Sequence, residues 1–153
     1  MTIKQAQMRD LETVGNITRT TINEIYPHYY PAGAVAYFLE HHSDGNISSD
    51  ISAGRVYLLA DDAGNAAGTV TIKENEICRL FVLPRFQGKG YGKALIAFAE
   101  DEITKRCDEI ILDASLGAKS LYLKLGYRET GYNLIEAPGG DYLCYSVMKK
   151  QVR

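Results

Sequence analysis

The most informative segment of the sequence reads Leu80-Phe81-Val82-Leu83-Pro84-Arg85-Phe86-Gln87-Gly88-Lys89-Gly90-Tyr91-Gly92-Lys93-Ala94-Leu95. An apolar strand ends at Pro84, and three alternating glycines then open a helix. The first N–H groups of a helix have no partner within it, and the helix dipole makes this end electropositive. Glycine has no Cβ, so a ligand can approach the backbone closely. The segment predicts an anion-binding turn, to which Lys89 and Lys93 could add charge.

Two familiar phosphate loops do not fit this turn. The Rossmann pattern needs a glycine where the chain has Lys93 or Leu95. The P-loop pattern needs a glycine at Gln87 and a serine or threonine at Ala94. Another kind of anion-binding turn is therefore expected.

Composition limits the class of protein. The 153 residues are 46% hydrophobic and 24% charged, which predicts one globular domain over residues 1–153. The net charge of −2 argues against a nucleic-acid partner. No signal peptide is recognisable, and no apolar run approaches the roughly 20 residues of a membrane span, so we expect a cytoplasmic protein without a membrane partner. The spacing of Cys78, Cys107 and Cys144 predicts free thiols and no metal site.

Residue patterns along the chain predict the order β-α-α-β-β-β-α-β-α-β-β. The N-terminal part has an opening strand, a helix that begins after Asp10 and ends at Pro27, a second helix and a polar turn over Ser43–Asn46. The predicted strands are Ile3–Met8, Arg55–Ala60, Ala66–Lys73, Glu76–Leu83, Glu109–Asp113, Tyr127–Ile135 and Tyr142–Met148. The later helices are Ala34–His41, Gly90–Arg106 and Ala118–Leu125.

The pattern Gln87-x-x-Gly90-x-Gly92 resembles the acyl-CoA-binding loop of the GNAT (GCN5-related) N-acetyltransferases, which reads Gln/Arg-x-x-Gly-x-Gly/Ala. The downstream segment 113–127 is similar to the family's second motif, Asn-x-x-Ala-x-x-x-Tyr-x-x-x-Gly-Phe. Ala118, Tyr122, Gly126 and Tyr127 fall in register, and Ser115 replaces the commoner Asn. Together the motifs and the element order cover residues 55–148.

The resemblance implies the GNAT fold, an α/β (mixed α+β) architecture with a mostly antiparallel sheet of about seven strands and about four flanking helices. It also implies acetyl-CoA as co-substrate and no metal. Phe81 and Val82 would pair with the pantetheine arm, with the Val82 N–H as donor to the oxyanion. The cofactor-binding set implied in this way is Phe81, Val82, Gln87, Gly88, Lys89, Gly90, Tyr91, Gly92, Lys93 and Ser115.

The same resemblance makes Tyr122 the general acid that protonates the leaving thiolate. For the general base we consider Glu76, which strand alternation would place on one face with Cys78, Leu80 and Val82. Two alternatives are left open: Glu76 is only a solvated charge, or Glu74 is the base.

Other side chains offer alternative chemistry. A histidine base at His28, His41 or His42 is conceivable, because histidine titrates near neutral pH. Cys78 could form an acyl-cysteine, although direct transfer is the family's usual route.

The expected activity is transfer of the acetyl group from acetyl-CoA directly to a primary amine of a small molecule or peptide. The alternatives are a catalytically silent acyl-CoA-binding regulatory module and a protein N-terminal or lysine acetyltransferase. Residues 26–50 and the loop Glu136–Asp141 should determine the choice of acceptor. A homodimer is possible.

Overall fold

The computed structural model describes residues 1–152, which form a mixed sheet flanked by helices. The strands are β1 (Thr2–Gln5), β2 (Val56–Ala60), β3 (Ala66–Lys73), β4 (Glu76–Ile77), β5 (Phe81–Val82), β6 (Glu109–Ala114), β7 (Arg128–Glu136) and β8 (Tyr142–Gln151). The α-helices are α1 (Leu11–Ile25), α2 (Ala32–His41), α3 (Asp44–Ser52), α4 (Tyr91–Thr104) and α5 (Lys119–Lys124). Single 3₁₀ turns occupy Met8–Asp10, Tyr26–His28, Pro84–Phe86 and Pro138–Gly140.

The strand order is β1-β2-β3-β4-β6-β8-β7, with β5 also paired to β3. All pairs are antiparallel except β4 with β6, which run parallel. The predicted hairpin is confirmed: β2 and β3 flank a turn in which the Asp61 carboxylate accepts the backbone N–H groups of Ala63 and Asn65. The mixed α/β fold class is confirmed as well.

The polar turn predicted over Ser43–Asn46 is wrong, because these residues begin α3. The Ser43 hydroxyl caps the helix by accepting the N–H of Asn46 at 3.3 Å. Ile47 and Ile51, one helical turn apart, are buried in the core. Serine and aspartate favour both turns and helix N-termini, so their composition alone did not distinguish the two. Residues 1–152 therefore form five α-helices and eight strands.

The strand predicted over Glu76–Leu83 is interrupted by a β-bulge. Ile77 pairs with Ile72 on β3, whereas Phe81 pairs with Thr69. Ile77 and Phe81 are thus four residues apart, whereas their partners Ile72 and Thr69 are three residues apart. The strand therefore contains one extra residue between β4 and β5. The segment Cys78–Leu80 carries this irregularity.

The bulge also corrects the predicted face of Glu76. Glu76 lies opposite Lys73 of β3 and Phe81 lies opposite Thr69, two positions that share one face of that strand. Glu76 therefore lies on the same face as Phe81. A one-residue shift in register reverses the faces, so Leu80 and Val82 do not share the face of Glu76.

Helices cover both faces of the sheet and form its core. On α1 the residues Val14, Ile17 and Ile22 are fully buried, as are Leu95, Ala99 and Ile103 on α4. Gly68 on β3 allows close packing here: a Cβ at this position would lie 2.9 Å from both the Phe81 carbonyl oxygen and the Leu95 side chain. The packing fixes β5 between α1 and the start of α4.

The three cysteines are free, as predicted, and each is partly buried. Among residues 1–152, no helix is long and apolar enough to cross a membrane.

Candidate active site

The sheet opens between β5 and β6. In the parallel pair of β4 and β6, Glu76 lies opposite Ile111 and Ile77 lies opposite Leu112. The next strand segment, β5, pairs with β3 instead of β6. A cleft of about 360 Å³ adjoins this opening. We call it the loop cleft. Its wall contains every predicted cofactor-binding residue except Lys89, together with residues of α1 and the following turn, among them Thr21, Ile25, Tyr26, Tyr29 and Tyr30.

The start of α4 supplies unpaired N–H groups to the loop cleft. The first helical hydrogen bond runs from the Ala94 N–H to the Gly90 carbonyl at 3.0 Å, so the three N–H groups before Ala94 have no acceptor within the helix. Gly90 caps the helix with φ 87°, a left-handed conformation that favours glycine. An ideal Cβ on Gly90 would meet no protein atom within 4 Å. The loop is thus open to a bound anion.

The two loop lysines differ in position. Lys93 lines the loop cleft, whereas Lys89 does not. The Lys89 ammonium lies 5.6 Å from the centre of the Phe86 ring. Of the two optional charges, the structure brings only that of Lys93 to the cleft.

The backbone of β5 is oriented toward the opening. The Leu83 N–H donates to the Ala67 carbonyl at 2.9 Å, and hydrogen-bonding direction alternates along an antiparallel strand. The backbone groups of Val82 therefore point away from β3. The Val82 carbonyl accepts the Gln87 side-chain amide at 3.0 Å, which ties the glycine loop to β5. Leu80, in the irregular segment before β5, lines both clefts, a position that sequence reasoning missed.

A second cleft, also about 360 Å³, adjoins the first and is more polar. We call it the polar cleft. The two clefts share Tyr26, Leu80, Phe81, Ser115 and Ala118, so they meet at the bulged strand and the end of β6. The remaining wall of the polar cleft is formed by Tyr37, Phe38, His41, His42, Lys73, Glu76, Ile77, Cys78, Arg79, Asp113, Tyr122 and Tyr145. Both predicted catalytic residues therefore lie in this cleft.

Tyr122 on α5 is 6% exposed and packs edge to face against Tyr127, with ring centres 5.6 Å apart. Burial raises the pKa of Tyr122 far above that of a free phenol, and nearby Tyr26 raises it further. The hydroxyl therefore remains protonated at neutral pH. It forms no hydrogen bond within residues 1–152, so its proton can be donated to a ligand in the polar cleft.

Glu76 is half-buried, and burial raises its pKa, as does the nearby charge of Asp113, while Lys73 lowers it. A carboxylate with a raised pKa is a stronger base at neutral pH. The alternative base, Glu74, lies in the exposed turn between β3 and β4 with φ 54° and lines neither cleft. The geometry favours Glu76 over Glu74.

His42 does not have the properties of a base. Its Nδ1 accepts a hydrogen bond from the Arg79 guanidinium at 3.2 Å, so the proton of the neutral ring resides on Nε2. Burial, together with the charge of Arg79, lowers the pKa of His42 to about 3. His28 is exposed and lines neither cleft. The pKa of His41 is also lowered, chiefly by burial.

Cys78 lines the polar cleft as a thiol. Burial raises the pKa of Cys78 to about 12, with a further contribution from the charge of Glu76. Because the thiolate is the nucleophilic form, this environment does not activate Cys78 for acyl transfer.

A buried ion pair anchors the bulge. Arg79, within the interrupted segment, is 6% exposed and donates to the Asp50 carboxylate at 2.7 Å. Arg79 also donates to the Thr71 hydroxyl at 3.2 Å. Asp50 belongs to α3, the helix that sequence analysis missed. The only indication in the sequence that Asp50 is buried is its position next to the apolar Ile51, and this indication is useful only once α3 has been recognised as a helix.

Two tyrosines organise the junction of the clefts. The Tyr30 hydroxyl accepts the Leu116 N–H and donates to the Cys144 carbonyl, each at 2.9 Å, and so links the end of β6 to β8. The Tyr26 hydroxyl is hydrogen-bonded to the Ser115 side chain, and burial raises the pKa of Tyr26 to about 12. Ser115 therefore has a partner within the protein, and its contact with CoA stays a prediction.

A model of the acetyltransferase (GNAT) domain matches residues 25–147. The chain belongs to the GNAT acetyltransferase family. No curated protein matches its sequence.

Solved structures share the fold. A GCN5-related N-acetyltransferase from Rhodopseudomonas palustris superimposes with a TM-score of 0.88 at 21% identity, covering 98% of this chain and 94% of that one. PaiA N-acetyltransferase from Thermoplasma acidophilum, solved with coenzyme A, gives 0.73 at 22% identity over 98% of both chains. YncA from Salmonella typhimurium, solved with acetyl-CoA, gives 0.73 at 19% identity, covering 100% of this chain and 94% of that one.

Proposed function

We propose that the protein transfers the acetyl group of acetyl-CoA directly to a primary amine. The observation that carries this proposal is the junction of two clefts at the bulged strand, with a glycine loop on one side and Glu76 and Tyr122 on the other. The loop cleft suits the cofactor because unpaired N–H groups at the start of α4 favour a pyrophosphate. The polar cleft would receive the amine.

The backbone of β5 would hold the acyl chain of the cofactor. Its outward-facing groups can pair with the amides of the pantetheine arm as an added strand would. The Val82 N–H is the oxyanion donor that the family resemblance implies. The Leu80 N–H is a further candidate, because Leu80 lines both clefts whereas Val82 lines only the loop cleft.

Proton transfer is divided between two side chains. A primary ammonium has a pKa of about 10 and must lose a proton before it attacks. Glu76 would accept that proton, directly or through water. The amine nitrogen then forms a bond to the thioester carbon, the C–S bond breaks, and Tyr122 would protonate the departing thiolate. The products are an N-acetyl amine and CoA with a free thiol.

Direct transfer is favoured over an acyl-cysteine route. With a pKa of about 12, the Cys78 thiol is almost entirely protonated at neutral pH and is a poor nucleophile. A single transfer step with both substrates bound requires no residue beyond those already in the two clefts.

The test begins with calorimetric titration of acetyl-CoA and continues with thiol release over a panel of amines. Tyr122→Phe should retain cofactor binding but lose about 10²-fold or more in kcat, since a general acid typically contributes this much. Tyr132→Phe is the matched control, because Tyr132 is 70% exposed on the edge strand β7. It should retain full activity.

The two stages separate the alternatives. Binding without thiol release from any small amine or peptide would indicate a silent acyl-CoA-binding module. Release from peptides but not from small amines would indicate a protein acetyltransferase. Failure to bind acetyl-CoA at millimolar concentration would contradict the proposal itself.

A further inference from the structure

The charges that line the polar cleft are not equally available to a ligand. Arg79 is buried and paired with Asp50 at 2.7 Å, whereas Lys73 approaches the same carboxylate at 3.4 Å and is partly exposed. His42 is neutral at physiological pH, because burial lowers its pKa to about 3. The pKa of His41 is lowered as well.

The remaining charged groups of the polar cleft are the carboxylates of Glu76 and Asp113. Neither forms an ion pair within the part of the chain that the structure describes. Lys73 offsets part of the charge of Glu76, whereas no lysine or arginine within residues 1–152 forms an ion pair with Asp113. Asp113 is therefore the negative charge that a cationic ligand can pair with.

The sheet register places these two carboxylates on one face. Glu76 lies beside Ile111 on the parallel strand β6, and Asp113 is two residues further along that strand. A strand spacing of about 4.8 Å and a rise of about 3.3 Å per residue put the Cα atoms of Glu76 and Asp113 about 8 Å apart. This distance suits two positive charges separated by a few carbon atoms.

Aromatic rings and one unpaired hydroxyl complete the cleft. Tyr37 and Tyr145 line it together with Glu76 and Asp113. Burial raises the pKa of Tyr145, and the charges of Asp113 and Glu76 raise it further. Aromatic faces attract cations and contact aliphatic chains. Independently of these charges, the Tyr122 side chain is 6% exposed, and its hydroxyl, which forms no hydrogen bond within residues 1–152, opens into the cleft where a ligand can accept its proton.

We propose that the acceptor is a small diamine, or another primary amine with a second positive charge a few carbon atoms from the reacting nitrogen. Glu76 receives the proton of the reacting amine, and Asp113 pairs with the distal ammonium. Amines that carry a carboxylate are disfavoured, because they meet like charge in the cleft. This inference rests on the proposed function, which makes the polar cleft the acceptor site.

Calorimetry tests the inference without relying on turnover. CoA is first titrated into the protein, and the loaded protein is then titrated with 1,4-diaminobutane, butylamine and 4-aminobutyrate. The diamine should bind about tenfold more tightly than butylamine, since a charge-assisted hydrogen bond contributes roughly this factor. 4-Aminobutyrate should bind most weakly of the three.

Asp113→Asn identifies the group responsible. It should reduce the affinity for 1,4-diaminobutane to that for butylamine and leave the affinity for butylamine unchanged. Asp113 is exposed, so the substitution should leave the fold intact. Asp101→Asn, at an exposed position on α4, is the matched control and should leave all three affinities unchanged.

Failure of this inference is distinguishable from failure of the proposed function. Absence of CoA binding in the first titration contradicts the proposed function. The amine titrations are therefore also performed without CoA, so that the charge preference is measured in either case. Equal affinity for the diamine and butylamine, a preference for 4-aminobutyrate, or unchanged selectivity in Asp113→Asn would overturn the inference.

Discussion

The buried ion pair between Asp50 and Arg79 provides the sharpest test of how the site is held together. Asp50 is 4% exposed and Arg79 is 6% exposed, so Asp50→Asn would leave the guanidinium buried without a counter-charge. Removal of one partner of a buried pair typically costs about 3–5 kcal/mol. Lys73 and Arg55 approach the same carboxylate at 3.4 and 3.5 Å, but both are partly exposed and should contribute little. We expect Asp50→Asn to lower the free energy of unfolding by about 3 kcal/mol.

Urea denaturation monitored by circular dichroism measures this loss, and Asp44→Asn is the matched control. Asp44 also belongs to α3 and pairs with an arginine, Arg19 at 2.5 Å, but this pair is solvent-exposed and should contribute at most about 1 kcal/mol. The double variant Asp50→Asn/Arg79→Met should lose less than the sum of the two single variants, because it leaves no buried charge. A loss for Asp50→Asn no larger than for Asp44→Asn, or strict additivity in the double variant, would show that the Asp50–Arg79 pair does not stabilise the fold in this way.

Three further predictions concern cofactor binding, catalysis and pH. Gly90→Ala should weaken acetyl-CoA binding about tenfold or more, because its Cβ enters the space in front of the loop. Gly64→Ala is the control, since Gly64 is also left-handed with open space around it but lies in the β2–β3 turn. It should leave the Kd for acetyl-CoA unchanged. Equal effects of the two in calorimetry would contradict the anion site. Glu76→Gln should reduce kcat and abolish the acid limb of the pH profile of kcat/KM. In the unsubstituted protein this limb should lie above the usual carboxyl range, because burial raises the pKa of Glu76. A profile that retains this limb would assign the base elsewhere. The folded-state pKa of His42, about 3, lies below its unfolded value, so stability is greatest above pH 6.5 and falls as the pH is lowered. His42→Gln, which keeps an acceptor for Arg79, should lose less stability between pH 6.5 and 5 in urea denaturation, by at most about 2 kcal/mol, and an identical loss would contradict the assignment.

The glycine loop and the second motif, over residues 113–127, were accessible from sequence because their information is local. Gln87, Gly90 and Gly92 carry a spacing that fits one turn geometry, and the structure brings all three to the same cleft. The strands β2 and β3 were recognised because residue alternation and a turn with glycine occur within a few positions. Such signals need no knowledge of distant contacts.

What escaped prediction depends on long-range packing. The N-terminus of α3 resembles a turn in composition, and only the burial of Ile47 and Ile51 against the rest of the core makes the helix stable. The bulge is set by the pairing of β3 with two separate strand segments. No residue pattern within Glu76–Leu83 specifies that pairing, so the face of Glu76 was assigned incorrectly.

The single extra residue in the bulged strand divides one short stretch of chain into two independent registers. Before β5, the consecutive residues Glu76, Ile77, Cys78 and Arg79 all line the polar cleft. After it, β5 lines the loop cleft, where the proposed function places the cofactor, and the side chain of Val82 lies beside the start of α4. Under the proposed function, substitutions before the bulge would alter the wall of the acceptor cleft without displacing the backbone of β5. The irregularity would then make acceptor recognition and acetyl activation separately adjustable on one strand.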